Sequence, residues 1–267
     1  FRKTEPSTIN SLSSDHIFQI LPENNHILWI ATDGGGLNKL NTKTSEVTVY
    51  KHNHKDTKSI SSDVAWTLYL DSKENLWVGT EADGLNVWFK EKRSKDDINF
   101  KHININHGMK TSTVFGILED QQQDIWLSTN KGISRYTPKN KAFMHFDMSH
   151  GLLDLEYNLQ SLLKTSDNNL MFGSAKGFNI LNPLKLLSNQ HAPQVQLTDI
   201  YSLNTKLKFD KPLSQLEQIE FDYTDKLIAF EYTGLDFASP ESNQFKYRLQ
   251  GFDKQWIEAG KLRRATY

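Results

Sequence analysis

The sequence reads LWIAT at residues 28–32, and variants of this pentapeptide occur three more times, as LWVGT at 76–80, IWLST at 125–129 and LMFGS at 170–174. The second residues of successive copies are 48, 49 and 45 positions apart. Periods of about 20 to 50 residues are typical of propeller blades and solenoid repeats. We therefore interpret the chain as a repeat protein.

Each repeat has the pattern of a small antiparallel sheet. A short apolar run leads into a polar turn, the pentapeptide follows, and a glycine with an apolar residue opens a third run. The turns are rich in Asp, Asn and Glu, and the flanking runs are too short for helices, which is typical of β-hairpins. Three copies carry a fourth run, at 47–50, 99–102 and 142–146.

Four short antiparallel strands per repeat predict an all-β fold made of β-propeller blades. We place the blades near residues 12–52, 60–104, 110–147 and 155–183. The fourth repeat ends after its third strand, and residues 1–3 match the end of a blade at 50–52. We therefore expect residues 1–3 to belong to a blade that precedes the first complete repeat.

The period is lost after Pro183, and the remaining sequence predicts a second all-β module. Residues 195–201 alternate between apolar and polar side chains, as in a strand with one solvated face. Further strands are predicted at 207–209, 219–223, 227–232 and 245–249, a pattern that indicates a β-sandwich. The predicted domains are a propeller fragment over 1–190 and a C-terminally truncated immunoglobulin-like sandwich over 191–267.

The composition of the 267-residue chain argues against several classes of function. A net charge of -1 gives no electrostatic reason to expect binding to nucleic acid. The absence of cysteine excludes disulfides and thiolate metal sites. No apolar run approaches the roughly 20 residues that a helix needs to span a bilayer.

Two parts of the sequence resemble known families. SLSS at 11–14, the pentapeptide at 28–32 and GGLN at 35–38 resemble the two-component regulator propeller repeats. FKYRLQGFDKQWI at 245–257 with RATY at 264–267 resembles the triple-tyrosine domain, an immunoglobulin-like sandwich, and Tyr247 and Tyr267 match two of its tyrosines.

This resemblance implies the periplasmic sensor region of a membrane-anchored signalling protein. It implies a signal peptide and further blades upstream, and a transmembrane helix with a histidine kinase or diguanylate cyclase module downstream. It also implies a non-catalytic segment that responds to a small polar ligand such as an oligosaccharide and signals through a homodimer. Membrane contact is then expected only through segments outside this sequence.

Residues that recur in every repeat are assigned to the scaffold. The repeated tryptophans should pack between neighbouring blades, where a buried aromatic side chain contributes strongly to stability. The hydroxyl residue that closes each pentapeptide should complete hydrogen bonds within its blade. Two further tryptophans fall in columns of the aligned repeats that are apolar in nearly every copy, which indicates packing. These residues are Trp29, Trp77 and Trp126; Thr32, Thr80, Thr129 and Ser174; and Trp66 and Trp88.

Ligand binding is expected where the repeats differ. In a propeller, the loop between the second and third strands and the connection between blades emerge on the same face. Carboxylates and amines beside an aromatic ring suit a polar ligand with apolar faces, such as a sugar. The predicted ligand-binding residues are Asp33, Glu81, Lys131, Tyr157 and Lys176.

The sequence gives little support for catalysis, and no catalytic residue or cofactor is predicted. No GxSxG, HExxH or GxxxxGK[ST] motif is present. His52 and His54 could share a metal ion, but no third ligand is evident and no metal site is predicted. A secreted propeller enzyme such as a polysaccharide lyase remains an alternative, because distant loops can bring two carboxylates together. A spacer that binds its ligand elsewhere is a third reading.

Overall fold

The computed structural model describes residues 11–186, 193–235, 240 and 243–267 of the chain. The chain divides into two compact units, Phe1–Leu187 and Ser188–Tyr267. Expectations for residues 1–3 lie outside the described residues. Among the described residues, no helix has the length and apolar character required to cross a membrane.

The described residues of the first unit form four antiparallel sheets, each built from consecutive strands, and the predicted all-β propeller-blade fold is confirmed. Blade 1 contains β1 (Ile17–Pro22), β2 (Ile27–Thr32), β3 (Leu37–Asn41) and β4 (Glu46–Tyr50). Blade 2 contains β5 (Ala65–Leu70), β6 (Leu76–Thr80), β7 (Leu85–Trp88) and β8 (Phe100–Ile103), with the short helix α1 (Lys90–Arg93) between β7 and β8.

The third and fourth sheets continue the pattern. Blade 3 contains β9 (Gly116–Glu119), β10 (Ile125–Thr129), β11 (Gly132–Thr137) and β12 (Ala142–Phe146). Blade 4 contains β13 (Tyr157–Lys164), β14 (Leu170–Ser174) and β15 (Gly177–Leu181). The three strands described in blade 4 agree with the sequence pattern. The third strand ends at Leu181, because Asn182 caps a 3-10 turn over Pro183–Lys185.

A hydrogen bond from the repeat tryptophan holds the first hairpin of three blades together. In each case the indole N–H donates to a carboxylate six residues earlier, in the turn before the tryptophan strand. In blade 4, Met171 replaces the tryptophan and Thr165 replaces the carboxylate, so the donor and the acceptor are lost together. The pairs are Trp29 with Glu23 at 2.8 Å, Trp77 with Asp71 at 2.8 Å, and Trp126 with Asp120 at 2.7 Å.

The core of the first unit lies between neighbouring blades. Trp29 of blade 1 is fully buried, and its ring packs against Trp88 of blade 2. Equivalent apolar clusters join blade 2 to blade 3 around Trp77 and blade 3 to blade 4 around Trp126. The prediction that the repeated tryptophans pack between blades is confirmed.

The inner strands of the four blades meet through one column of residues. A β-bulge interrupts the register around Phe18 and Trp66, and bulges re-aim a side chain within a strand. The rings of Trp66 and Phe115 stack at 5.4 Å. In blade 4 the column holds Gln160, which donates its side-chain N–H to the carbonyls of Phe18 and Trp66 at 2.7 and 2.9 Å. The column is therefore structural, as predicted.

The second unit contains a four-stranded sheet and a hairpin. Its strands are β16 (Gln194–Ser202), β17 (Thr205–Lys206), β18 (Ile228–Leu235), β19 (Phe245–Tyr247), β20 (Ile257–Gly260) and β21 (Arg264–Thr266). The sheet order is β17-β16-β18-β21, and β19 pairs with β20. The hairpin packs on the sheet through a cluster that contains Tyr232, Phe245 and Ala265.

Two strands predicted in this unit are absent from the described residues. Residues 207–209 form no strand, since β17 ends at Lys206. Residues 219–223 also form no strand, because Asp222 accepts from the N–H of Thr224 at 2.9 Å and begins a turn there. The rings of Tyr247 and Tyr267 lie 5.9 Å apart.

Candidate functional site

Two sets of loops meet at one end of the blades, as the repeat pattern predicts. The glycine that precedes or opens the third strand donates its N–H to a carbonyl in the following inter-blade connection. We call this surface the loop face; it comprises residues 33–36, 81–84, 130–132 and 175–176 with the connections 51–64, 104–115 and 147–156. The bonds join Gly36 to Asp63 at 2.7 Å, Gly84 to Ser112 at 2.8 Å, and Gly132 to Leu155 at 2.6 Å.

A second repeated bond closes each loop at its base. The hydroxyl that ends the pentapeptide donates to the carbonyl of the glycine across the loop, which confirms the predicted structural role of these residues. The pairs are Thr32 with Gly36, Thr80 with Gly84 and Thr129 with Gly132, each at 2.8 Å, and Ser174 with Gly177 at 3.2 Å. The loop residues between the hydroxyl residue and the glycine are not needed for this bond, so their side chains can differ from blade to blade.

The connections on either side of blade 3 contain the same tight turn. Asn104 caps a 3-10 turn that ends at Gly108, and Asp147 caps another that ends at Gly151. The Ser149 hydroxyl donates to Asp147 at 2.6 Å. This bond, followed by those from His150 and Lys110, holds the pKa of Asp147 well below its usual range. Asp147 is therefore ionised, and its carboxylate stabilises the turn at the start of the connection between blades 3 and 4.

A shallow cavity of about 450 Å³ opens on the loop face beside this turn. Lys110 contributes an ammonium that is ion-paired with Asp147 at 3.2 Å. Lys131 also lines the cavity, and no carboxylate of the described residues lies within 4.0 Å of its ammonium. Met148, which is 57% exposed, and Leu155 supply apolar surface. Cavities of this size hold small ligands, and this one combines a free positive charge with an apolar wall.

The structure places four of the five predicted site residues on the exposed loop face. Lys131 lines the cavity, and Lys176 is ion-paired with Asp154 at 3.4 Å. Asp33 lies in the β2–β3 loop, 3.8 Å from His16, and Glu81 lies exposed in the β6–β7 loop. Among the described residues, no hydrogen bond or ion pair joins Asp33 or Glu81 to Lys131. Their role as ligand contacts stays a prediction.

Tyr157 occupies a different environment from the one the sequence predicts. It is only 2% exposed, and its ring packs against Phe172. Its hydroxyl donates to Asn179 at 2.8 Å. Burial, reinforced by the charge of Asp154, raises the pKa of Tyr157 to about 12, so this donor stays protonated. The ring has no free face for a ligand, and Tyr157 packs between blades 3 and 4.

Several residues of the cavity lie in the connections where the sequence predicts binding but are not among the individually predicted residues. Lys110, Met148 and Leu155 lie in connections of unequal length, so no aligned column identifies them. A sequence signal that could have located them is a polar residue with His-Gly beginning three positions later. This pattern occurs twice, starting at Asn104 and at Asp147. That recurrence marks a common turn beside which the lining residues stand.

His145 of β12 is bonded to the connection between blades 2 and 3, and its protonation is expected to make the stability of the propeller unit depend on pH. Its ring nitrogens lie 2.8 Å from the Ser134 hydroxyl and 2.9 Å from the carbonyl of Gly108. Burial, with a smaller contribution from Lys110, lowers the pKa of His145 below its usual value. The unfolded chain therefore binds a proton more readily than the folded one, and the stabilisation present above about pH 6.5 is lost as the pH falls.

We expect the melting temperature to fall between about pH 7.5 and about pH 5.5, and to fall less in His145→Asn. The exposed His26→Asn is the matched control and should keep the wild-type slope. Thermal unfolding followed by circular dichroism at both pH values measures the difference. Equal slopes for His145→Asn and the wild type would contradict this assignment.

Comparison with known proteins gives the repeat a family. Residues 59–82, which include β5, β6 and the turn between them, match the family described as the two component regulator propeller. The match covers one repeat of the chain. This repeat is blade 2, and the other blades share its hairpin, its pentapeptide and its loop-closing hydroxyl.

The chain is also similar to longer proteins. Histidine kinase P4 of Formosa agariphila is 28% identical over an alignment of 165 residues that covers 59% of this chain and 12% of the kinase. Two crystal structures of the extracellular domain of BT4673 from B. thetaiotaomicron share its fold at 18% identity, with TM-scores of 0.53 and 0.52. They cover 96% of this chain, which spans less than half of either domain.

Proposed function

We propose that this chain is a non-catalytic, ligand-sensing segment of a membrane-bound bacterial signalling protein and lies in the periplasm. The observation that carries the proposal is the regulator propeller repeat at residues 59–82. The similarity to a protein named as a histidine kinase supports a kinase output. A diguanylate cyclase output is the other possibility implied by the sequence resemblance, and in both cases signalling passes through a homodimer.

The second unit fits this role as a triple-tyrosine module. Tyr247 and Tyr267 stand at two of the positions expected for its tyrosines, and their rings are in contact. The Tyr267 hydroxyl donates to Asp253 at 2.6 Å, in the loop that follows β19. The paired rings therefore fix the hairpin to the last strand of the sheet, which suits a relay between the propeller and a following segment.

The proposed ligand is a small polar molecule with apolar faces, such as an oligosaccharide, bound in the loop-face cavity. The Lys131 ammonium and the Asn130 side chain offer donors to hydroxyl or acidic oxygens, while Met148 and Leu155 offer apolar contact. Asp33, Glu81 and Lys176 are candidates for contacts with a longer ligand that extends across the loop face.

Ligand binding in this cavity can change blade packing. Lys131 precedes Gly132, whose N–H is bonded to Leu155 in the connection to blade 4. A ligand that contacts both segments stabilises the arrangement in which that bond is made. It shifts the population between two arrangements only by its difference in affinity for them.

The proposal is tested by calorimetric titration of the chain with a panel of neutral, acidic and amino oligosaccharides. Lys131→Met should weaken binding of the responding sugar by about tenfold or more, since a hydrogen bond to a charged group is lost. Lys139→Met, an exposed lysine in the β11–β12 turn, should bind as the wild type does. Equal affinities for Lys131→Met and Lys139→Met would refute the site, and release of new reducing ends from the sugar would instead favour the secreted-enzyme alternative.

A further inference from the structure

The third strand of blade 2 lacks a cation that the blades on either side carry. In the antiparallel register, Lys39 lies opposite Trp29, and Arg135 lies opposite Trp126. Both cations stand over the tryptophan rings, at 5.8 and 5.7 Å from the centroids. The corresponding partner of Trp77 is Val87. In blade 2, Trp77 therefore lacks the cross-strand cation that lies over the equivalent tryptophan in blades 1 and 3.

The neighbouring strand of blade 3 adds a negative charge at the same interface. The last residue of the inner strand is Pro22, Leu70 or Lys164 in the other blades, and Glu119 in blade 3. Glu119 is 5% exposed and accepts hydrogen bonds from the backbone and hydroxyl of Ser72 in blade 2, at 2.7 and 2.8 Å. Relative to the repeat, the third strand of blade 2 has lost a cation and blade 3 has gained a buried carboxylate, while Lys101 of β8 lies opposite Val87.

A cavity of about 540 Å³ lies at this point, at the end of the strands opposite the loop face. Trp77, Tyr136 and Phe89 form its aromatic wall, and the carboxylates of Asp71 and Glu119 line it. Asp71 is 8% exposed and already accepts from the Trp77 indole. Within the described chain, no Lys or Arg nitrogen lies within 4.0 Å of either carboxylate.

Two other carboxylates of the propeller unit pair with an arginine, although the buried Asp120 has no ion pair within the described residues. Glu23 pairs with the buried Arg93 at 2.8 Å, and Asp124 pairs with Arg135 at 3.6 Å. Lysines do line the cavity between blades 2 and 3, and one of them, Lys90, is ion-paired with Glu74 at 2.6 Å. These flexible side chains provide donors for oxygen atoms of a ligand. The complete set is Lys73, Lys90 and Lys101.

We infer that this cavity binds a small organic cation, a primary amine or guanidinium that also carries hydroxyl or acidic oxygens. Its charge lies beside the Glu119 carboxylate, and Phe89, which is 41% exposed, offers it an aromatic face. The Glu119 carboxylate accepts from the same group, because charge-assisted hydrogen bonds are the strong ones. Amino sugars and basic amino acids both have this chemistry.

The test is titration of the chain with glucosamine and with L-arginine, followed by tryptophan fluorescence and calorimetry. N-acetylglucosamine and glucose are the neutral controls, since they keep the ring without the positive charge. At least one of the two cationic probes should bind, and the neutral sugars should bind about tenfold more weakly or not at all. The cation that binds identifies whether the source is an amino sugar or an amino acid.

Two variants locate the site. Val87→Lys restores the charge that the repeat has in blade 1 and should abolish binding of the cationic probe. Glu119→Gln keeps the acceptor for Ser72 while removing the charge, and should weaken binding about tenfold even where Val87→Lys folds poorly. The exposed Val49→Lys in blade 1 is the matched control and should bind as the wild type does. Failure of both cationic probes to bind, or unchanged binding in Glu119→Gln, would overturn the inference without affecting the loop-face proposal.

Discussion

Replacing Trp126 by alanine is expected to lower the free energy of unfolding of the propeller unit by about 3 to 5 kcal/mol. The side chain is fully buried, stacks on Phe146 at 5.4 Å and lies under Arg135. Its removal leaves a cavity between blades 3 and 4. It also leaves the Asp120 carboxylate without the indole donor at 2.7 Å, which adds the cost of an unpaired buried acceptor.

Blade 4 supplies the matched control for this prediction. Its Met171 and Thr165 stand where blade 3 has Trp126 and Asp120. Trp126→Met should be less destabilising than the alanine variant. Adding Asp120→Thr should recover part of the remaining loss, because it removes the Oδ2 atom that is left without a donor, while the Thr hydroxyl can replace Oδ1 as acceptor for the turn. Urea unfolding followed by circular dichroism gives the free energies for a double-mutant cycle. Additive effects of the two substitutions would show that the hydrogen bond does not couple them.

Gly132→Ala is expected to destabilise the propeller unit by about 3 kcal/mol or more. Gly132 has a φ of 98°, in the left-handed region, and an added Cβ would meet the carbonyl oxygen of Phe146 at 2.1 Å. The backbone of β11 must move to relieve this clash. That movement breaks the bond from Gly132 to Leu155 at 2.6 Å and disturbs the cavity beside Lys131.

Gly34→Ala separates the two causes of this loss. Gly34 also has a positive φ, of 67°, but no atom lies within 4 Å of the position its Cβ would take. It should therefore lose only the conformational term of about 1 to 2 kcal/mol. Chemical unfolding of the two variants measures the difference. Similar losses for Gly34→Ala and Gly132→Ala would mean that close approach to Phe146 contributes nothing.

Sequence reasoning succeeded where the same residue meets the same surroundings in each blade. Trp29, Trp77 and Trp126 are buried, and the aligned hydroxyls close their loops, because the period places each copy against an equivalent neighbour. The columns of the aligned repeats could therefore be assigned to the scaffold without coordinates.

The same reasoning failed where one copy departs from the others. The sequence predicts Tyr157 as a ligand contact because it replaces small polar residues, yet its hydroxyl donates to Asn179 and its ring packs beside Phe172. Conversely, Val87 and Glu119 look unremarkable in the sequence, and their significance depends on the cavity that they share with Trp77. Departures from a repeat have meaning only when their spatial neighbours are known.

The two hydrogen bonds at the base of each loop allow the loop sequences to diverge. The hydroxyl-to-glycine bond and the glycine-to-connection bond fix where a loop leaves and re-enters its blade, whatever lies between. Substitutions at positions such as Glu81 or Lys131 can then accumulate at little thermodynamic penalty, because the exposed side chains take no part in either bond. The loop of one blade can therefore acquire new side chains while its neighbours retain theirs, so that copies of a single duplicated unit come to present different surfaces.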